Sequence, residues 1–162
     1  MMNNKVEKLK SFPLLSSIDD NELEVLAGYM KENIHEKNDI IINEGDWDTT
    51  MYLLIEGTVD VIKTTIYNDK FVCATLSDSM YVIFGEMALI DKDKRSATVK
   101  AKTKCKTFSI DSESFNKFLD EYPKGGVKLL KLMNKNIIRN LRIENDNLRL
   151  IYQALIEEIE FN

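Results

Sequence analysis

Phe84-Gly85-Glu86-Met87-Ala88-Leu89-Ile90, followed by Arg95-Ser96-Ala97-Thr98-Val99, brings a glycine, a carboxylate and a guanidinium into one short stretch. Glycine lets backbone approach a ligand closely, and the amides that open a short helix near Glu86 would point at an anion. A guanidinium meets two phosphate oxygens with parallel hydrogen bonds, whereas a carboxylate only accepts. Arg95 therefore suits a phosphate and Glu86 a ribose hydroxyl, so the pair describes recognition of a ribose phosphate. Chemistry that makes or breaks bonds has little support. His35 is the single histidine, which leaves no Ser/His or Cys/His constellation and no cluster from which to build a metal centre. No catalytic residue, metal or cofactor is expected, and His35 reads as a structural surface residue.

Three zones must position these residues. Residues 4–30 read as helical: Asp19 and Glu22 have capping-box spacing, Ile18 and Leu23 sit at staple positions, and Leu23, Leu26, Ala27 and Met30 share one face. Residues 31–109 hold short β-rich runs at 40–42, 52–55, 59–63, 71–76, 97–102 and 107–110. Glu44-Gly45-Asp46 and Glu56-Gly57-Thr58 punctuate the runs, and Tyr67-Asn68-Asp69-Lys70 closes a hairpin. Such a pattern predicts an antiparallel sandwich or jelly roll. Beyond it, Asp111 or Ser112 caps a helix through Glu121, Tyr122-Pro123 breaks the chain, and Gly125-Gly126 reads as a hinge. Residues 127–161 form one long helix on which Ile137, Leu141, Leu148, Ile151 and Leu155 alternate spacings of three and four, with Glu144 inside the seam. A stripe longer than its own domain can cover predicts a homodimer.

The two blocks together resemble the cyclic nucleotide-binding domains shared by the cAMP receptor protein, protein kinase A regulatory subunits and cyclic nucleotide-gated channels. The cassette of that family reads F-G-E-[LM]-A-L and then R-[AST]-A-T-V, and Glu86 to Arg95 keeps its interval. Glu44-Gly45-Asp46 and the run from Met51 to Val61 look like the family's early strands and turns. The resemblance implies an eight-stranded antiparallel jelly roll, mainly β, with an N-terminal helix, a long C-terminal helix and the cassette inserted between two strands. It implies ligand contacts from Gly85, Glu86, Met87, Ala88, Arg95, Ser96 and Ala97, and candidate base contacts from Glu144 and Asn145. The implied ligand is a 3′,5′-cyclic nucleotide, with cAMP favoured and cGMP the alternative. Two departures stand out: Lys94 replaces the proline that commonly precedes the arginine, and residues 76–83 lack the usual turn glycine.

The composition agrees with a single domain. With 162 residues and 44% hydrophobic content, the chain can bury an adequate core. We divide it into residues 1–126, the roll with its flanking helices, and residues 127–162, a dimerisation or lid helix of the same domain. A formal charge of -5 argues against nucleic-acid or acidic-membrane partners, and the run from Lys100 to Lys106 reads as a solvated strand face. No apolar span or signal pattern appears near Met1, so a soluble cytoplasmic protein is expected. A helix-turn-helix domain has no room before Asn162, so DNA binding is not expected and output would pass through an unknown protein partner. Cys73 and Cys105 lack metal or disulfide spacing and read as packing residues, and Trp47 as an edge packing residue. The alternative to a sensor is a non-binding pseudo-sensor serving as a dimeric scaffold.

Overall fold

The computed structural model describes residues 2–13 and 15–160. Two helices, α1 (Met2–Lys10) and α2 (Asp20–Tyr29), precede eight strands: β1 (Lys31–His35), β2 (Ile40–Ile42), β3 (Met51–Glu56), β4 (Thr58–Thr64), β5 (Lys70–Ser77), β6 (Ile83–Phe84), β7 (Thr98–Ala101) and β8 (Cys105–Ile110). Helix α3 (Glu86–Asp91) lies between β6 and β7, and α4 (Ser112–Glu121) and α5 (Pro123–Glu160) close the chain. The strands form two four-stranded sheets, ordered β1-β8-β3-β6 and β2-β7-β4-β5, with every pairing antiparallel. This is the expected jelly roll.

The apolar pattern of β3 explains how the layers stack. Its run Met51-Tyr52-Leu53-Leu54-Ile55 is nearly continuous because both faces are covered. Met51, Leu53 and Ile55 join the helical layer of Leu9, Leu23, Leu26, Phe115, Phe118 and Leu129, while Leu54, with Tyr52 beside it, joins Ile42, Val59, Phe84, Val99 and Ala101 inside the roll. A one-residue slip would exchange the two sets, so the β3 register is firmly specified.

Two strands were not anticipated individually. Lys31–His35 is mostly polar and pairs only through β8, and Ile83–Phe84 is a two-residue strand held by Leu53 and Tyr52. Their pairing is long-range, and short or polar runs carry little strand signal. The residues 67–70 turn forms as read: Asn68 takes φ 68 and the Thr65 amide donates to the Asp69 carbonyl at 2.8 Å. The missing turn glycine is replaced by Tyr81, which adopts φ 51 and packs edge-on against Phe12.

The N-terminal zone is two helices rather than one, because the chain turns through Ser11, Phe12 and Pro13 before α2. Asp19 does stand at the N-cap of α2, yet its side chain makes no capping hydrogen bond. Asp19 and Glu22 turn instead to Lys128 of α5, at 3.1 and 4.0 Å. The staple residues Ile18 and Leu23 are both in the core. At α4 the cap is Asp111, which accepts from the Ser114 amide at 2.9 Å.

The Gly125-Gly126 hinge is corrected. α5 runs unbroken from Pro123, and both glycines are buried points of close approach. A Cβ on Gly125 would meet the Glu22 carboxylate at 2.7 Å, and one on Gly126 would meet Leu119 at 2.8 Å. The helical cost of glycine is offset by close packing against α2 and α4. The α5 residues from Ile138 to Glu160 are all exposed, so roughly 35 Å of helix stands clear of the body at 1.5 Å per residue. Phe161, expected to be the last helical residue, lies outside the described residues.

Candidate functional site

Gly85 sits between β6 and α3 at φ 78, in the left-handed region. An added Cβ would lie 2.7 Å from Arg95 Nη1, 2.8 Å from the Thr50 carbonyl and 3.0 Å from Ile42 Cδ1. Only glycine fits this conformation and this space. The turn brings Glu86 to the first position of α3 and aims the Gly85 carbonyl at Arg95, whose Nη1 donates to it at 3.0 Å.

Arg95 is only 4% exposed. Its Nη2 donates to Asp48 Oδ2 and to the Thr50 carbonyl, and its Nε is buried with no partner among the described residues. The ion pair of Arg95 is therefore with Asp48. Burial works against ionisation of Asp48, but hydrogen bonds from Arg95 and Thr50 outweigh it and hold the carboxyl below its usual value.

The turn at residues 45–48 engages the arginine residue by residue. The Gly45 amide donates to the Arg95 carbonyl at 2.8 Å, and the Arg95 amide to the Asp46 carbonyl at 2.9 Å. Lys94 Nζ lies 5.4 Å from the centre of the Trp47 ring, a cation–π contact. Trp47 is thus no packing residue. It is 71% exposed, and with Lys94 it ties down the tip of the cassette where a proline is usual.

Glu86 is 9% exposed. Burial raises its carboxyl above the usual range, with its own amide and the Arg95 charge opposing. A carboxyl whose pKa is raised on folding favours the folded state less when ionised, and this cost disappears as pH falls through the raised value. Glu86→Gln is accordingly expected to raise the melting temperature at pH 7, with the gap from the parent closing in acid. Because it replaces a charged acceptor with a neutral one, the same change should weaken a ribose contact by about 1 kcal/mol. Thermal melts across pH and a binding titration check both halves.

The remaining sequence candidates are distributed unevenly. Ala88 is buried on the inner face of α3, Met87 is 52% exposed on its outer side, Ser96 is exposed and Ala97 is half-buried just before β7. Glu144 and Asn145 lie on the exposed length of α5. Cys105 is buried, but Cys73 is exposed because β5 is an edge strand. His35 contacts the Thr107 hydroxyl at 3.0 Å, and burial lowers its pKa. Lys102, Lys104 and Lys106 are each paired with an acid, Asp60, Glu36 and Glu32 respectively. Among the described residues no cluster of His, Cys, Asp or Glu is suited to a metal, and no helix is long and apolar enough to cross a membrane.

Sequence reasoning missed Asp48 and Thr50. Glu44-Gly45-Asp46 is legible as a turn, but the arginine that pairs with the nearby Asp48 is 47 residues away. Local spacing carries no trace of that pairing.

Comparison with known proteins gives the family and the fold of the chain. The family model for the cyclic nucleotide-binding domain matches residues 33–122. The cAMP-dependent protein kinase regulatory subunit of Schizosaccharomyces pombe is 36% identical over 111 residues, 68% of this chain and 26% of that subunit. The chain thus spans about a quarter of that relative's length. A cyclic nucleotide-binding domain from Methylobacillus flagellatus superposes with a TM-score of 0.81 at 22% identity, covering 90% of this chain and 83% of that one. The cAMP-bound structure of PfPKA-R superposes with a TM-score of 0.63 at 33% identity, covering 72% and 41%. With this match over more than half its length, on a jelly roll whose cassette lies between β6 and β7, the chain belongs to the cyclic nucleotide-binding domain family.

Proposed function

We propose that this chain is a non-catalytic, cytoplasmic regulatory module that binds a 3′,5′-cyclic nucleotide, cAMP in preference to cGMP. The observation that carries this reading is Arg95: a guanidinium almost wholly buried in the cassette, beside a glycine turn, with a buried N–H that has no partner among the described residues. A desolvated guanidinium of this kind suits an anion able to accept paired hydrogen bonds. Gly85, Glu86, Ala88, Arg95 and Ala97 would form the ribose phosphate side, with Met87 and Ser96 at its edge and Glu144 and Asn145 reaching the base once α5 is drawn in. The preference for cAMP rests on the relatives, two of which carry cAMP in their names.

The test is calorimetric titration with cAMP and cGMP of protein first unfolded and refolded to strip bound nucleotide. Tighter binding of cAMP than of cGMP is expected, by less than about tenfold, or about 1.4 kcal/mol. No heat with either ligand would refute the reading, and cGMP binding more than tenfold tighter would overturn the base assignment.

Output would pass through residues 127–162 of the same domain to a second copy or a downstream protein. Leu141, Leu148, Ile151 and Leu155 all lie exposed on α5, and a seam of this kind pairs with a like helix. Leu148→Arg is expected to give a monomer in light scattering at tens of micromolar, where the parent is a dimer. A monomeric parent would remove the dimer from the proposal. The ligand acts only through a greater affinity for one arrangement of α5.

A further inference from the structure

The inner face of the roll follows from the register of its strands. Val59 of β4 faces Ala101 of β7, and Val61 faces Val99. Val59, Val99 and Ala101 are buried inside the roll. Side chains alternate along a strand, so Lys63 holds the next inward position of β4. One residue past the last β4–β7 pair, Ile62 with Thr98, the same register sets Ala97 of the cassette beside Lys63. This outermost inward row therefore begins at the candidate site.

An irregularity in β5 completes the row. Val61 faces Ala74, an inward pair. Simple alternation from Ala74 would turn Val72 inward and Phe71 outward. The register shifts instead between Val61 and Ile62, so that Cys73 is an extra residue, Val72 faces Ile62 and Phe71 faces Lys63. A bulge of this kind re-aims a side chain, and here it puts an aromatic ring into the inward row. Phe71 is 47% exposed and Lys63 is exposed beside it. Lys63 pairs with no acid among the described residues, whereas Lys102, Lys104 and Lys106 each do. The row thus offers an aromatic ring and an unpaired ammonium next to the cassette.

We infer that Phe71 and Lys63 serve the base of the bound nucleotide: Phe71 stacks on the purine, and Lys63 donates to its acceptor edge. The inference rests on the cyclic nucleotide reading above. The two residues differ in what they select. Every base has a π-face, so stacking on Phe71 favours adenine and guanine alike. An ammonium only donates. Guanine presents two acceptors, O6 and N7, on one edge, whereas adenine presents N7 beside an amino group that itself donates. Lys63 therefore favours cGMP. It works against the preference for cAMP and is what holds that preference within about tenfold.

The experiment is calorimetric titration of the intact chain and its variants with cAMP and with cGMP, each variant first shown by thermal melting to be folded. Phe71→Ala, and Phe71→Leu, which keeps apolar bulk without the ring, are expected to weaken both nucleotides about tenfold. Lys63→Met, which keeps an unbranched stem, is expected to weaken cGMP about tenfold and cAMP no more than about twofold. Lys63→Arg keeps the donors and should keep the ratio of the parent. Val72→Ala changes the outward neighbour and should bind as the parent does. A merely structural role for Lys63 would move both nucleotides together. Unchanged affinities in both Phe71 variants, or equal losses of the two nucleotides in Lys63→Met, would overturn the inference and leave the nucleotide reading standing. Absence of binding in parent and variants alike would overturn that reading and the inference with it.

Discussion

Arg95→Ala is expected to weaken cyclic nucleotide binding by about 2 to 5 kcal/mol, or roughly one and a half to three and a half decades in affinity. The size follows from desolvation. The guanidinium is 4% exposed, so a phosphate placed in the emptied space would lie away from water without its counter-charge. Arg95→Lys should recover only part of the loss, because a point charge replaces the planar fork. The stability cost of Arg95→Ala should be smaller than the binding cost, since the orphaned Asp48 carboxylate is half-exposed and can turn to water. Titration of folded Arg95→Ala protein decides the matter: unchanged affinity would refute the phosphate assignment.

Gly85→Ala should be the most damaging single methyl group in the cassette. At φ 78 an L side chain is strained by about 1 to 3 kcal/mol. The added Cβ also meets Arg95 Nη1 and the Thr50 carbonyl, and such overpacking adds about 1 to 3 kcal/mol. We expect a loss of about 2 to 6 kcal/mol in urea unfolding, together with loss of ligand binding as Arg95 is pushed aside. Gly45→Ala is the internal control. Its φ of 86 carries the same backbone strain, yet nothing lies within 4 Å of the added Cβ, so only the strain should appear. Equal losses at both positions would show that the close approach at Gly85 contributes nothing.

Both effects fall on residues that local sequence alone makes legible. Gly85, Glu86 and Arg95 form part of a contiguous cassette, and their order along the chain reports directly on their neighbourhood in space. The helix starts at Asp19 and Asp111 and the turn at residues 67–70 are equally legible, because capping and turn chemistry act over a few residues. Even there, the partners of the Asp19 and Glu22 side chains are not. Local spacing offers a capping box, while Lys128 on α5 presents a competing cation from far along the chain.

Glycines show the same division more sharply. Gly125-Gly126 and Gly85 look alike as sequence, each a residue without a Cβ. Gly85 is required by a left-handed turn, whereas Gly125 and Gly126 lie within an unbroken helix and make room for Glu22 and Leu119. Only packing distinguishes a flexible point from a point of contact.

The amino-acid sequence by itself determined the family, the roll and the cassette, since alternation, turn residues and short motifs are written in local order. The tertiary structure decided what those residues hold. It placed Asp48 and Thr50 against Arg95, set Trp47 under Lys94 and left the outer length of α5 exposed. The physical reason is range. Propensity and spacing act between near neighbours, while the charge that meets Arg95 comes from a strand connection that only the folded sheets bring within reach.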